Sequence, residues 1–183
     1  MLRSLKPDYC ADNVFDIDFD VLSAAGVSFI IFDVDNTLMT YDRDSAPDEI
    51  RELVSGLKQK GFGACVLSNG HSERIRKIAE ELDLDFIGDA LKPLRRGFKR
   101  ISAKYGTDPG CTVIIGDQLF TDVLGASRAG TRSVLVKPLK LTGEPLFVKI
   151  KRCFEKPVLR RIYASEDVGF FPARRENDDP PEI

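Results

Sequence analysis

Four aspartates and one lysine carry the chemistry this sequence could perform. Asp33 and Asp35 stand two apart in Asp33-Val34-Asp35-Asn36-Thr37-Leu38, directly after an apolar run over 27–32. Side chains two apart at a strand end share one face. Two carboxylates so placed repel each other unless a positive charge sits beside them. A hard divalent cation with oxygen ligands answers that need, and Mg²⁺ is the usual choice where phosphate is the substrate. Asp117, with Asp122 five residues beyond it, follows a later apolar run, and Lys92-Pro93 follows the turn after another. Asp117 would complete the cation site and Lys92 would bring a second positive charge. A carboxylate of pKa about 4 is ionised at neutral pH and needs no base to act as a nucleophile. Its obstacle is the charge of a phosphate ester, on the order of 4 kcal/mol at about 4 Å and an effective dielectric of about 20. A bridging cation and a lysine offset that. The second aspartate could protonate the departing alkoxide and then activate water against an aspartyl-phosphate intermediate.

The elements that must hold these groups are legible. Short apolar runs rich in β-branched residues occupy 27–32, Gly63–Leu67, Asp85–Ile87, 112–115 and 133–136. They are too short for helices and continuously apolar, as strands buried on both faces must be. Helical periodicity fills 47–60, 72–82, 94–105 and 121–129, the last ending at Gly130 as a C-terminal cap. About five strands alternating with four helices predict an α/β fold. It is a doubly wound parallel sheet with helices on both faces. Ligands bind beyond the carboxyl ends of such strands. Those ends carry Asp33 and Asp35, Ser68-Asn69, Lys92, and Asp117-Gln118 with Asp122.

In that order these residues resemble the four motifs of haloacid-dehalogenase (HAD) superfamily phosphatases, over about residues 27–136. The DNTL and GDQLFTD wording, with Leu5, Pro7 and Asp16-Ile17 before it, is similar to the subfamily IIIA phosphatases of YqeG type, over about residues 2–164. Relatives of that subfamily include phosphatidylglycerophosphate phosphatases. The resemblance implies a HAD-like Rossmannoid core with Asp33 as nucleophile and Mg²⁺ ligand. Asp35 becomes the acid/base and gives its backbone carbonyl to the metal. Thr37 orients the loop, Ser68 and Asn69 hold phosphoryl oxygens, Lys92 neutralises charge, and Asp117 and Asp122 complete the Mg²⁺ site. Thr37 and Lys92 count with Ser68 and Asn69 as substrate-binding.

Only 34 residues separate Asp33 from Ser68 and 23 separate Ser68 from Lys92. A folded lid needs at least about 50, so no cap domain is expected. The site should be open, with at most the loop 40–46 above it. The single histidine, His71, leaves little material for a triad or zinc site and is expected in a loop at the site mouth. Cys10, Cys65, Cys111 and Cys153 form no CxxC pair, which fits a reducing compartment. The opening MLRSLKPDYC shows no apolar signal core, and no run approaches a membrane span. The expected setting is therefore cytoplasmic. A net charge of −2 excludes a globally basic nucleic-acid binder.

Charge is uneven, however: eight basic and two acidic residues give +6 over 137–161, and 164–183 carries −4. The expected organisation is an N-terminal segment packed on the core (1–26), a catalytic core (27–140), a basic amphipathic helical segment (141–164) and a disordered acidic tail (165–183). Leu146, Phe147, Ile150, Cys153, Phe154, Val158 and Ile162 fall on one helical face, to pack on the sheet or to lie on an anionic bilayer from its inner side. Pro157 is expected to kink or divide this helix. The function expected is Mg²⁺-dependent hydrolysis of a phosphomonoester, with the anionic phospholipid phosphatidylglycerophosphate as substrate and phosphatidylglycerol as product. The alternatives are a small soluble phosphomonoester (a nucleotide or sugar phosphate) and a HAD-like protein-binding scaffold.

Overall fold

The computed structural model describes residues 2–70, 72–165 and 167–171. His71 and residues 172–183 of the acidic tail lie outside the described residues. Among the described residues, seven strands form one parallel sheet. They are Tyr9–Ala11 (β1), Phe29–Phe32 (β2), Gly63–Leu67 (β3), Asp85–Ile87 (β4), Thr112–Gly116 (β5), Arg132–Val136 (β6) and Gly169–Phe170 (β7). Their spatial order is β4-β3-β2-β5-β6-β1-β7. The helices are Phe19–Ala24 (α1), Asp48–Gln59 (α2), Glu73–Glu81 (α3), Arg96–Tyr105 (α4), Leu124–Ala129 (α5) and Leu146–Tyr163 (α6).

Alternation along β2 shows why the central strands are apolar throughout. Ile30 and Phe32 pack with Leu22, Val54 and Ile78 of α1, α2 and α3. Phe29 and Ile31 point the other way, toward Phe98, Ile101 and Ala126 of α4 and α5. With helices on both faces, neither set of alternate side chains can be polar. The direction of chain progression reverses between β2 and β5, which opens a crevice at their carboxyl ends. Phe32 is in register with Ile115, and the Asp33 amide donates to the Ile115 carbonyl at 3.0 Å. Asp33 therefore leaves the sheet beside Gly116-Asp117.

All five expected strands are present, and β1 and β7 extend the sheet beyond them. Runs of three and two residues carry almost no periodicity, so only pairing with β6 and with each other defines them. The tail boundary placed at 165 falls inside packed chain. Val168 and Phe171 are buried, and Phe171 stacks on Tyr9 with ring centroids 5.1 Å apart. The helix expected over 94–105 starts at Arg96, leaving Leu94 exposed. The one expected over 121–129 is a π-helical turn, Leu119–Val123, followed by α5. Gly130 caps it at φ 78°, a conformation glycine adopts without strain.

The largest departure is in α6. Pro157 neither divides nor ends it: the helix runs unbroken through Pro157, which sits on an exposed turn. Its first half is also turned over relative to the apolar-face expectation. Val148, Arg152 and Glu155 are buried, while Leu146, Phe147, Ile150 and Phe154 are 74, 63, 52 and 66% exposed. Val158 and Leu159, half-buried, and the buried Ile162 pack with Cys10, Leu135 and Val168, so the apolar anchor is the second half alone.

If residues 167–171 are an integral edge of the fold, Phe171→Ala should lower unfolding free energy by about 3 kcal/mol, read from urea denaturation. A loss below about 0.5 kcal/mol, the range of surface changes, would mark the segment as dispensable.

Candidate active site

Strand register gathers the acids. Ligand oxygens of Asp33, Asp117 and Asp122 lie within 4.8 Å of one another, and the three residues are 8, 3 and 1% exposed. Lys92 enters from the turn after β4 and is itself buried. Its Nζ donates to Asp33 Oδ1 and Asp122 Oδ1, both at 2.7 Å. Gly116 makes room for this, since a Cβ there would collide with the Asp122 carboxylate. Burial raises the Asp33 carboxyl above the ordinary carboxylate range, against the opposing pull of Lys92. Burial likewise raises Asp117, against Arg152. For Lys92, burial works against the charge, but Asp122 and Asp33 outweigh it and the ammonium is held more firmly protonated than usual. Three carboxylates this close and this dry, with one ammonium among them, are a donor set suited to a hard divalent cation.

The loop after β2 is built around Asn36, which sits at φ 62°, a conformation asparagine tolerates better than most residues. Its amide N–H donates to the Met39 carbonyl at 2.7 Å, and its side-chain Nδ2 donates to Glu144 Oε1 at 2.7 Å. Glu144 also accepts from Arg152, at 3.1 Å from Nε and 2.8 Å from Nη2. Arg152 in turn donates to the Asp117 carbonyl at 2.8 Å and ion-pairs with the Asp117 carboxylate. One buried chain of polar contacts thus runs from the loop bearing Asp33 and Asp35, through Glu144, into α6 and back to Asp117. Neither Arg152 nor Glu144 stands out in the sequence, because both read as ordinary members of a charged segment.

The other expected residues divide. Asp35 lines the same cavity as Asp33 and ion-pairs with Arg74 at the start of α3. Arg74 also donates to the Arg43 carbonyl at 2.7 Å, pinning the loop 40–46. Thr37 is not in the substrate cavity as expected. It is 1% exposed, and its hydroxyl faces Asp117 Oδ1 at 3.5 Å, so it supports the acid cluster from beneath. Asn69 reaches the cavity, but its amide is engaged in both directions with the Lys92 backbone, at 3.0 and 2.5 Å. It holds Lys92 in place. Ser68 lies in the wall of a cavity of about 220 Å³ together with Asp33, Asp35 and Lys92. Tyr41 of the loop and Phe147 and Lys151 of α6 also line it.

This arrangement has counterparts. Residues 39–130 match the model of the haloacid dehalogenase-like hydrolases. The chain belongs to that family. Among curated proteins it is 33% identical to the probable phosphatase YqeG of Bacillus subtilis, over 85% of this chain and 90% of that one. It is 26% identical to the chloroplastic phosphatidylglycerophosphate phosphatase 1 of Chlamydomonas reinhardtii, over 82% of this chain and 59% of that one. Its fold is similar to the cobalt-bound deoxy-D-mannose-octulosonate 8-phosphate phosphatase of Haemophilus influenzae, with a TM-score of 0.51 at 16% identity over 78% of this chain and 94% of that one. Family membership and these relatives make the chain a HAD phosphatase, a phosphoric monoester hydrolase. The acid trio is the place in this hydrolase where a divalent metal fits.

Because the folded state raises the Asp33 pKa to about 7, folded protein binds a proton there that the unfolded chain has already released. Ionised Asp33 therefore costs stability, and that cost appears as pH rises through the folded pKa. In chelator, Asp33→Asn should raise the melting temperature by a few degrees at pH 8.5 and by little at pH 5, measured by scanning calorimetry. An equal gain at both pH values would assign the effect to packing instead of charge.

Proposed function

We propose that this hydrolase dephosphorylates phosphatidylglycerophosphate to phosphatidylglycerol through an aspartyl-phosphate on Asp33, with Mg²⁺ as cofactor, working peripherally on the inner face of an anionic bilayer. The observation that carries the lipid assignment is the inverted first half of α6. Leu146, Ile150 and Phe154 face outward, Phe147 is both exposed and part of the cavity wall, and Lys149 and Lys156 stand exposed among them. Exposed apolar side chains with interspersed cations are what an amphipathic helix offers to an anionic lipid surface. The name of the algal relative agrees with it. Among the described residues no helix is long and apolar enough to cross a membrane, which fits a helix lying on the surface.

The chemistry follows from the groups present. Asp33 is the nucleophile: one carboxylate oxygen forms a bond to phosphorus as the bond to the alcohol oxygen breaks. Lys92, bonded to Asp33, balances the charge of nucleophile and phosphoryl oxygens. Ser68 offers its hydroxyl to those oxygens from the cavity wall. Asp35 gives its proton to the departing alcohol, and burial raises its carboxyl toward the protonated form this needs, although Arg74 opposes the shift. It then takes a proton from the water that releases phosphate from Asp33. Asp33, Asp117 and Asp122 would hold Mg²⁺, which supplies charge neutralisation and Lewis acidity toward the phosphoryl group.

Two measurements check this reading. Asp33→Asn should lower phosphate release by at least about 10³-fold with Mg²⁺ present; residual turnover within 10-fold of wild type rejects the nucleophile. Ile150→Glu with Phe154→Glu, both outside the cavity, should reduce sedimentation with anionic vesicles and slow hydrolysis of vesicle-borne phosphatidylglycerophosphate. A small chromogenic ester should be cleaved as before. Undiminished vesicle binding, or a wild-type enzyme that favours soluble esters, overturns the lipid assignment.

A further inference from the structure

We infer that Lys151 forms a second anion subsite in the reaction cavity, selecting phosphomonoesters whose alcohol carries another, singly charged phosphate a few atoms away. The inference rests on the phosphatase reading above and specifies what the substrate's leaving group must contain. Three observations support it.

First, Lys151 shares the cavity wall with Asp33, Ser68 and Lys92, yet none of the steps derived above uses it. Second, its ammonium is aimed and held. Nζ donates to Gln118 Oε1 at 2.7 Å and lies 5.1 Å from the Phe147 ring centroid. The Gln118 backbone N–H donates to Asp122 Oδ2 at 3.2 Å, so the residue that accepts from Lys151 is itself tied to the acid cluster. Third, the cation is half-buried and, among the described residues, has no carboxylate within ion-pairing distance. Arg152, the next residue, takes both Asp117 and Glu144 instead. Partial burial lowers the Lys151 pKa, against the opposing pull of Glu155, Asp122 and Asp117. An anion delivered by the substrate relieves that cost.

The chemical class follows from position. Lys92 and the acid cluster are committed to the transferred phosphoryl group. Lys151 is a second cation lining the same cavity, outside the Lys92–Asp33–Asp122 pairing, and it meets an anion elsewhere on the substrate. The Phe147 ring beside it favours an anion on a partly apolar body over a polyhydroxylated sugar. A phosphodiester fits, because it carries one charge that never titrates near neutral pH. Both the intact phospholipid and its deacylated headgroup contain this element, so the two sources are separable by experiment.

The test compares three substrates: phosphatidylglycerophosphate in vesicles, its deacylated glycerophosphoglycerol phosphate, and glycerol 3-phosphate, which lacks the diester. Wild type should favour both diester-bearing compounds over glycerol 3-phosphate in kcat/KM. Lys151→Met should reduce that preference by about 10- to 100-fold, the range of one charge-assisted hydrogen bond. The loss should lie in KM, with kcat for the diester substrates within about 2-fold, and Lys151→Arg should restore most of the preference. A preference unchanged in Lys151→Met overturns the subsite. So does an equal fall for all three substrates, which would make Lys151 a structural residue; unchanged melting of the variant checks its fold separately. Wild type that cleaves all three alike also overturns the subsite but leaves the phosphatase intact. Wild type that cleaves the deacylated headgroup but not the vesicle-borne lipid keeps the subsite and overturns the membrane reading.

Discussion

Three carboxylates held within 4.8 Å of one another in the interior of a protein are the constraint around which this structure is arranged. Each pair of ionised groups at that separation repels by roughly 3–4 kcal/mol at an effective dielectric of about 20. Nothing in the apolar strands beneath can answer that. Positive charge must come from elsewhere in the chain, and it arrives by two routes. Lys92 is brought in from the β4 side, between Asp33 and Asp122. Arg152 comes from far along the chain, onto Asp117. Asn69 and Glu144 then fix the two cations, the first through the Lys92 backbone and the second through the guanidinium.

That electrostatic demand explains the orientation of α6. Packing alone would turn Leu146, Phe147, Ile150 and Phe154 inward. The helix turns Arg152 and Glu155 inward instead and leaves those apolar side chains exposed. An unpaired buried carboxylate costs more than an exposed leucine, so charge compensation at Asp117 sets the rotation. In the second half, the buried Ile162 and the half-buried Val158 and Leu159 anchor the helix without contesting that rotation. The exposed apolar surface of α6 is therefore a consequence of charge compensation at Asp117, and the two are joined through Arg152.

The same helix takes a place that a cap would otherwise fill. The segments between Asp33 and Ser68, and between Ser68 and Lys92, hold a loop, α2 with β3, and α3 with β4. Tyr41 of the loop and Phe147 and Lys151 of α6 line the cavity, and the latter two share one helix with Arg152.

The sequence by itself determined the core of the sheet and the polar ends of its strands. Runs such as FIIF and TVII, buried on both faces, leave no ambiguity of period, and in parallel strands the residue just past each run must emerge at the carboxyl edge. Asp33, Ser68, Lys92 and Asp117 were legible for that reason. Local pattern did not reach the rest. Strands of two and three residues exist only through pairing with distant partners. Thr37 faces Asp117 and Asn69 bonds the Lys92 backbone while lining the cavity, contacts that depend on what lies across the loop. Arg74, Glu144 and Arg152 have no local sequence signal that names their partners. Only tertiary structure, which set an acid opposite Arg74 and Arg152, and Arg152 opposite Glu144, decided them, since a charge acquires its role from the partner that space supplies and not from its neighbours along the chain.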